Sequence, residues 1–242
     1  MSEGMRRTKL WDLPVRLTHW SFVALLPALW ASAEFGKIDL HKTLGLVMLG
    51  LVVFRILWGL IGSQTARFTQ FVKGPSAVIA YLRGLRTGGE VGAPVVGHNP
   101  MGAISVLLLL GLLAAQVGIG LFTQDVDGVE SGPLNYMVSY DTADALREWH
   151  ELGFNLILAF VVLHLAAILF YTFKKKDRLV PPMITGSKDL PESVPAPRMA
   201  PLWRALPLII IAAAFSWWLG KGAPTSLEQL NAPPPPDASE YM

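Results

Sequence analysis

Two histidines, His150 and His164, lie fourteen residues apart in the apolar stretch from Leu146 to Phe173. In an α-helix, fourteen steps of about 100° bring both imidazoles to the same face, and the helical rise separates them by roughly 21 Å. That distance is most of the ~30 Å hydrocarbon core of a bilayer. A membrane-embedded helix with an imidazole near each surface can hold two redox centres, one above the other.

Two further histidines complete a paired pattern. His19 lies in the inner half of the first apolar segment, and His41 opens the second segment at the opposite, outer surface. Depth therefore pairs His41 with His150 near the outer surface, and His19 with His164 near the inner one. Neutral imidazoles can ligate haem iron from two opposing helices. Two axial nitrogens leave no open position on the iron, which favours electron transfer over oxygen binding.

The composition excludes several other kinds of metal site. The 242 residues include no cysteine, which rules out thiolate zinc sites, cysteine-ligated iron–sulfur clusters and the covalent attachment of c-type haem in this chain. Any haem must therefore be a non-covalent, b-type centre. Charged residues make up 16% of the chain, below the ~25% usual for soluble domains. No basic face interleaved with aromatics lies outside the apolar segments, so nucleic-acid binding has no support.

The apolar residues come in long blocks, and we predict five membrane-spanning helices. Their approximate ranges are 15–33, 40–61, 101–122, 148–173 and 203–219. A signal peptide is the rival interpretation of the first segment, because Met5-Arg6-Arg7 precedes it and Ala31-Ser32-Ala33 resembles a cleavage site. The long polar start of that segment, with Asp12 and Pro14, argues against cleavage.

The segments outside the spans are also assigned. Residues 181–202 are expected to be a cytoplasmic linker, irregular over 186–201 because of its prolines, followed by the fifth helix at 203–220. Residues 221–242 are expected to be a flexible outer tail. Phe71–Leu85, in the loop between the second and third spans, is expected to form a short interfacial amphipathic helix.

Lysine and arginine are unevenly distributed between the two ends of the predicted bundle. The N-terminal segment, the loop from Gly62 to Pro100 and the run from Lys174 to Arg178 are rich in basic residues. All three fall on one side, which the positive-inside rule assigns to the cytoplasm. The loop between the third and fourth spans carries six carboxylates against the single Arg147 and is expected on the outer side.

Three other residues are candidates for cofactor contacts. Arg55 follows His41 by fourteen residues, so it lies on the same face, near the level of the inner histidine pair. A buried guanidinium needs an anion, which haem propionates would supply; snorkelling to the cytoplasmic interface is the alternative. Arg16 is a weaker candidate for the same contact. His98, in Gly97-His98-Asn99-Pro100, is interpreted as a loop or quinone-pocket residue rather than an iron ligand.

Several of these motifs resemble one family when they are taken in order. The chain carries Arg16-Leu17-Thr18-His19-Trp20, His41-Lys42-Thr43-Leu44-Gly45, Phe54-Arg55-Ile56-Leu57-Trp58-Gly59, the Gly-His-Asn-Pro run, His150 and His164. This order resembles the bacterial cytochrome b561 and nickel-hydrogenase cytochrome b family over about residues 10–180. The resemblance implies an all-α, integral membrane four-helix di-haem bundle over 10–180. One haem would be held by His19 and His164 and the other by His41 and His150, and the C-terminal fifth transmembrane helix is an addition to this core.

The resemblance also implies a function. It predicts a multi-pass cytochrome of the bacterial inner membrane, with its N-terminus in the cytoplasm and its C-terminus in the periplasm. Two non-covalent b-type haems would transfer electrons across the bilayer between the quinone pool and a periplasmic partner. That partner would be a c-type cytochrome, a hydrogenase or a similar oxidoreductase subunit.

Two alternatives remain at this stage. The first is a superoxide:quinone oxidoreductase that acts alone, although the acidic outer loop should repel the superoxide anion and attract a basic protein. The second is a haem-free membrane scaffold or metal carrier. A metal path should combine the imidazoles with carboxylates or thiols inside the spans, and the sequence places none there.

Overall fold

The computed structural model describes residues 4–87 and 96–226, which are mostly helical. The elements in chain order are β1 (Met5–Lys9), α1 (Leu13–Glu34), α2 (Ile38–Ile61), α3 (Phe68–Phe71), α4 (Pro75–Thr87), α5 (Pro100–Gly120), a 3₁₀ turn (Asn135–Met137), α6 (Tyr140–Phe173), α7 (Val180–Thr185), β2 (Ser187–Pro191), a 3₁₀ turn (Leu202–Arg204) and α8 (Ala205–Gly220). Helix α2 is central, because it packs against α1, α5 and α8, and α5 in turn packs against α6.

All five predicted spans are helical, and within the described ranges four helical stretches are long and apolar enough to cross a membrane. These are α2, α5, α6 and Leu202–Gly220, which contains α8. Helix α1 has 22 residues, enough for about 33 Å at the α-helical rise, but polar side chains such as Arg16 and His19 reduce its hydropathy. The crossing of the bilayer by α1, and with it the total of five spans, stays a prediction.

Polar caps fix where the helices begin. Asp12 caps α1, because its Oδ1 accepts a hydrogen bond from the backbone N–H of Val15 at 2.9 Å. Asn99 caps α5 in the same way, through the N–H of Gly102 at 2.7 Å. Ser139 caps α6, so this helix starts eight residues before the predicted Glu148. Its first two turns are polar and rise out of the apolar region, which an apolar pattern alone does not detect.

The prediction of an irregular linker over 186–201 is wrong for its first part. Strand β2 pairs antiparallel with β1, in a register that runs from Met5 opposite Pro191 to Lys9 opposite Ser187. Strand β2 depends on hydrogen bonds to β1, which lies about 180 residues earlier in the chain. Neither five-residue segment has an alternating apolar pattern, so the pairing could not be read locally. The expected amphipathic helix is present, but as α3 and α4.

A buried apolar layer separates the two histidine levels. Met48 of α2 lies seven residues after His41, and Ile157 of α6 lies midway between His150 and His164. Both side chains are 1% exposed and form one cluster with Val52, Leu110 and Leu113. Seven residues are close to two helical turns, so each helix presents its histidine and its apolar residue on nearly the same face. The bundle core is therefore layered along its axis.

Helix α8 lies along α2 and supports the loop after α5. The Ser216 hydroxyl donates to the backbone carbonyl of Leu46, and a Cβ on Gly50 would lie 3.7 Å from that of Ser216. At the end of α8, Leu219 packs in one buried cluster with Leu134 of the α5–α6 loop. Helix α8 thus packs against the α5–α6 loop and positions it, although the two are distant in sequence.

Candidate functional site

His41 and His150 face each other across the bundle. Their ring centres lie 6.1 Å apart and their planes are inclined at 79°. A metal–imidazole bond of about 2.1 Å, with the ring centre about 1.1 Å behind the nitrogen, places two imidazoles on opposite sides of one ion roughly 6.4 Å apart. The separation therefore fits one metal ion held between the two rings, and their role as iron ligands stays a prediction.

The His41 ring is oriented by a hydrogen bond on its far nitrogen. Nδ1 lies 2.9 Å from the backbone carbonyl of Leu29 in α1. A carbonyl oxygen only accepts, so Nδ1 carries the hydrogen and donates it, and in the neutral ring Nε2 keeps its lone pair. Ligating histidines are commonly fixed through such a bond. His41 is thus prepared to bind a metal through Nε2.

His150 lies in a tight pocket between α5 and α6. A Cβ on Gly120 would come within 2.9 Å of its Cε1, so a larger residue there would displace the ring. The Gln116 amide donates to the backbone carbonyl of His150 at 2.8 Å, and Gly153 leaves the space that the Gln116 side chain fills. The Nδ1 atom of His150 is buried without a hydrogen-bond partner among the described residues. Glycines therefore set the position of this histidine.

His19 and His164 are the second predicted pair, at the other end of the apolar layer. They lie within electrostatic reach of each other. The hydroxyl of Ser105 in α5 lies 3.2 Å from Nδ1 of His164. The His19 ring packs edge-on against Trp20 at 5.1 Å, and its Nδ1 is buried without a partner in the described part of the chain. Ser105 was not predicted from the sequence, and no motif around it pointed to this contact.

Three glycines of the bundle border open space rather than packed side chains. A Cβ built on Gly45, Gly111 or Gly118 would meet no atom within 4 Å. Gly45 follows His41 by one turn, and Gly118 lies just before the glycine that touches His150. A flat macrocycle held by this histidine pair needs such room against the backbone. The donor set, the ring separation and this space together fit a haem.

Arg55 is buried and bound within the protein. Its Nη1 donates to the carbonyl of Ala66 at 3.4 Å, and its guanidinium lies 5.3 Å from the centre of the Phe68 ring. Asp12 is close enough to interact with it electrostatically. The side chain does not snorkel to the surface, so that alternative is wrong. Its contact with a haem propionate stays a prediction.

Asp12 is a connecting residue that the sequence analysis did not assign to the site. Besides capping α1 it accepts a hydrogen bond from the indole of Trp58 at 2.9 Å through Oδ2. Trp58 is 0% exposed and stacks on Phe54, so it does not belong to an interfacial belt. The sequence carried a signal for the helix cap, because Asp12 precedes Pro14. The proximity of Asp12 to Arg55 could not be predicted, because Arg55 belongs to another helix.

Arg16 is placed differently from its predicted role. It donates to the backbone carbonyl of Ile184 at the end of α7, and a Cβ on Gly186 would lie 2.9 Å from its Nη1. The neighbouring Trp20 indole donates to the carbonyl of Met183 at 3.1 Å. Arg16 thus fastens α7 beneath α1, and its predicted propionate contact stays untested.

His98 lies at the basic end of the bundle, between two aromatic rings. Its centre is 4.6 Å from that of Trp11 and 4.5 Å from that of Phe71, and its Nδ1 is buried without a hydrogen-bond partner in the described ranges. It also lines a cleft of about 540 Å³, together with Gln64, Thr65, Gln70, Phe71, Lys73, Val96 and residues 195–198. His98 is therefore a buried cleft residue that packs between aromatic rings and not against either histidine pair's rings.

The titration of His98 gives a testable pH dependence. Burial lowers the pKa of His98 to about 3 from 6.5, with smaller contributions from Arg55 and His164. Between pH 6.5 and 3 the unfolded chain therefore binds a proton at His98 that the folded chain does not bind. The contribution of neutral His98 to the free energy of unfolding is complete above pH 6.5 and is lost as the pH falls toward 3. We expect about 2 kcal/mol of destabilisation between pH 7 and 5.

The matched variant for this prediction is His98→Phe, which keeps a ring between Trp11 and Phe71. Thermal unfolding followed by tryptophan fluorescence should show a wild-type Tm that falls by about 4–8 °C between the two pH values as a result of this group. The variant should lack that part of the fall. Equal falls in both proteins would contradict the assignment.

Comparison with known proteins identifies the group to which this bundle belongs. A sequence profile described as "Prokaryotic cytochrome b561" matches residues 10–186. The chain belongs to the prokaryotic cytochrome b561 family. It is 22% identical over 211 residues to proteins named "Probable Ni/Fe-hydrogenase 1 B-type cytochrome subunit" from Escherichia coli strain K12 and from Escherichia coli O157:H7. Each match covers 74% of this chain and 90% of the relative. None of the solved structures matches the chain.

Family and structure agree on the coarse assignment. This member of the cytochrome b561 family is a multi-pass helical membrane protein with a b-type haem and a role in electron transfer. In residues 4–87 and 96–226, no three His, Cys, Asp or Glu side chains come together to hold a bare metal ion. The metal-carrier alternative therefore finds no such site there. The match ends at residue 186, so α8 and the segment before it lie outside the family region.

Proposed function

We propose that this cytochrome binds two b-type haems and transfers electrons across the bilayer between the quinone pool and a periplasmic redox partner. The separation of the His41 and His150 rings, which suits one metal ion, carries the proposal. His164 lies fourteen residues after His150 on α6, roughly 21 Å along the helix, and His19 of α1 lies within electrostatic reach of it. Each haem, when bound, would supply a one-electron couple of ferric and ferrous iron.

The side chains around the two pairs hold and insulate these positions. The Leu29 carbonyl and the Ser105 hydroxyl orient the rings of His41 and His164 through their Nδ1 atoms. The layer of Met48 and Ile157 keeps water out of the space between the two levels. Arg55 places a buried positive charge near the inner level, where it would favour the reduced state of a nearby centre or pair with a propionate.

The proposal assigns the quinone to the basic end, in the cleft beside His98. The cleft has an apolar side with Phe71 and Val96 and a polar side with Thr65 and Gln70, which suits a headgroup with hydrogen-bond acceptors and an apolar body. His98 lines this cleft, and its Nδ1 has no hydrogen-bond partner in the described ranges. His98 is also near enough to His164 to interact with it electrostatically.

The charge distribution supports the proposed orientation in an inner membrane. The segments at the His19–His164 end, within 4–16, 62–87 and 174–204, carry fifteen Lys and Arg residues against four Asp and Glu residues. By the positive-inside rule this end, and the N-terminus with it, faces the cytoplasm. The His41–His150 end and the residues after α8 then face the periplasm, where the partner would be a c-type cytochrome or an oxidoreductase subunit.

The alternative of a stand-alone superoxide oxidase is less well supported. Superoxide is an anion, and an end at which carboxylates predominate lowers its local concentration. Stopped-flow mixing of superoxide with the purified protein separates the two functions. Reduction of quinone by superoxide at a near-diffusion-limited rate would favour the alternative.

Reduction of the protein by quinol tests the proposal directly. A short-chain quinol added anaerobically to the purified cytochrome should produce the sharp visible bands of reduced b-type haem. His164→Ala should slow quinol reduction of the remaining centre by about a hundredfold or more, because the inner centre is missing, while dithionite still reduces it. Unchanged quinol reduction in His164→Ala would contradict the proposed route, and a colourless wild-type protein would overturn the proposal altogether.

A further inference from the structure

The loop between α5 and α6, residues 121–139, folds as a compact unit with its own small core. Gln124 and Ser131 form a β-bridge, the Asn135 amide donates to the carbonyl of Phe122 at 3.2 Å, and Leu121 and Leu134 are buried beneath. The loop nevertheless exposes large apolar side chains on its outside. These include Val126 at 70% and Tyr136 at 66% exposure, together with Val129, Met137 and Tyr140 at the start of α6. Such a patch marks an interaction surface.

Acidic residues predominate in the segments at this end of the bundle. The described segments at this end, 34–42, 121–151 and 220–226, contain nine Asp and Glu residues against four Lys and Arg residues. Two of the four cations are already paired, Lys42 with Glu130 and Arg147 with Asp144 and Glu151. Asp127, Asp141 and Glu148 are exposed and form no ion pair among the described residues. This end of the bundle therefore combines excess negative charge with exposed apolar side chains.

The patch lies close to the His41–His150 pair. Lys42, the residue after His41, binds Glu130 of the loop directly. At the other side, Gly120 contacts the His150 ring and is the last residue of α5 before the loop begins. A protein seated on the loop would thus come close to the centre that these histidines would hold.

We propose that this surface, named here the acidic docking face and made of residues 121–141 with Asp144 and Glu148, docks a soluble electron-carrier protein. The carrier would present a ring of lysines around an apolar patch. The inference rests on the proposed function and names the partner of the outer histidine pair. His41 and His150 would hold the haem that supplies one electron to the oxidised centre of the carrier, with no proton transferred.

Other occupants fit the acidic docking face less well. A second copy of the chain would bring two negative surfaces together, which costs free energy. Insertion of Val126 and Val129 into the bilayer would draw Asp125 and Asp127 toward anionic headgroups and out of water. A basic carrier instead gains attraction from the unpaired carboxylates and buries the apolar centre.

A binding measurement tests the docking without requiring turnover. The holoprotein in nanodiscs is immobilised, and a strongly basic mitochondrial-type cytochrome c is the probe in biolayer interferometry. The Kd should rise at least tenfold between low and physiological ionic strength, since surface charges are screened. The double variant Asp127→Asn/Asp141→Asn should raise the low-salt Kd about tenfold. Asp189→Asn/Glu192→Gln, the same charge change at the basic end, should leave it unchanged.

Several results would overturn the docking proposal. The proposal would be wrong if the Kd does not depend on ionic strength or if the two double variants change the Kd equally. It would also be wrong if an acidic flavodoxin-type carrier binds more tightly than the basic one. In Val129→Trp, quenching of the new fluorescence by brominated lipid would show that the patch faces the membrane instead. The haem spectrum and quinol reduction are recorded on the same samples, so failure of docking is distinguished from failure of the proposed function.

Discussion

His41→Ala will leave a purified protein that holds one haem per chain instead of two. The variant removes one of two imidazoles whose ring centres are 6.1 Å apart. A b-type haem is not covalently attached to the protein, so it dissociates when one of its axial ligands is missing. The inner pair lies beyond the layer of Met48 and Ile157 and should keep its haem. Pyridine-haemochrome analysis per mole of protein measures the outcome. His98→Phe is the matched control and should retain both haems.

Double variants test which histidines share a haem. If His41 and His150 hold the same iron, His41→Ala/His150→Ala will lose no more haem than either single variant. His41→Ala/His19→Ala will lose both haems. Additive loss in the first double variant, or one haem kept in the second, would show that the pairing is wrong.

The arrangement of the histidines could be predicted because it follows from helix geometry alone. The spacing of His150 and His164 fixes their common face whatever packs against them, and the structure places His150 opposite His41 as depth suggested. The same rule predicts a level for Arg55 near the inner histidine pair. The rule could not predict the partners of Arg55. Ala66 and Phe68 belong to the connection between α2 and α4, and no periodic sequence pattern predicts the path of that connection.

Contacts between distant segments were beyond the sequence. The pairing of β1 with β2 joins residues about 180 positions apart, and Tyr136 of the α5–α6 loop donates to the carbonyl of Gly222 after α8. Such contacts depend on where the helices place the chain ends. The sequence could suggest an acidic outer loop, but only the fold shows that it lies beside His41 and His150 and rests on α8.

Asp12→Ala will markedly lower the thermal stability of the cytochrome. The side chain is buried and acts in three ways, as the cap of α1, as acceptor for the Trp58 indole and as the negative charge near Arg55. Loss of a cap costs about 1 kcal/mol, and leaving the buried Trp58 indole N–H without its acceptor costs about 1–3 kcal/mol, to which the lost charge near Arg55 adds. We expect the Tm to fall by about 4–16 °C.

Two companion variants divide this effect between its causes. Asp12→Asn keeps a side-chain oxygen that can accept a hydrogen bond from Val15 or Trp58, but it removes the negative charge. The fall in the Tm of this variant should therefore report the interaction of that charge with Arg55. In Asp12→Asn/Arg55→Met the buried cation is gone as well, and the Tm should recover at least half of that loss, because a neutral pair needs no compensation. Tryptophan fluorescence during heating in detergent gives all three values. If the double variant is less stable than Asp12→Asn, the charge of Asp12 does not balance Arg55, and the negative partner of that guanidinium must come from elsewhere, as a haem propionate would supply.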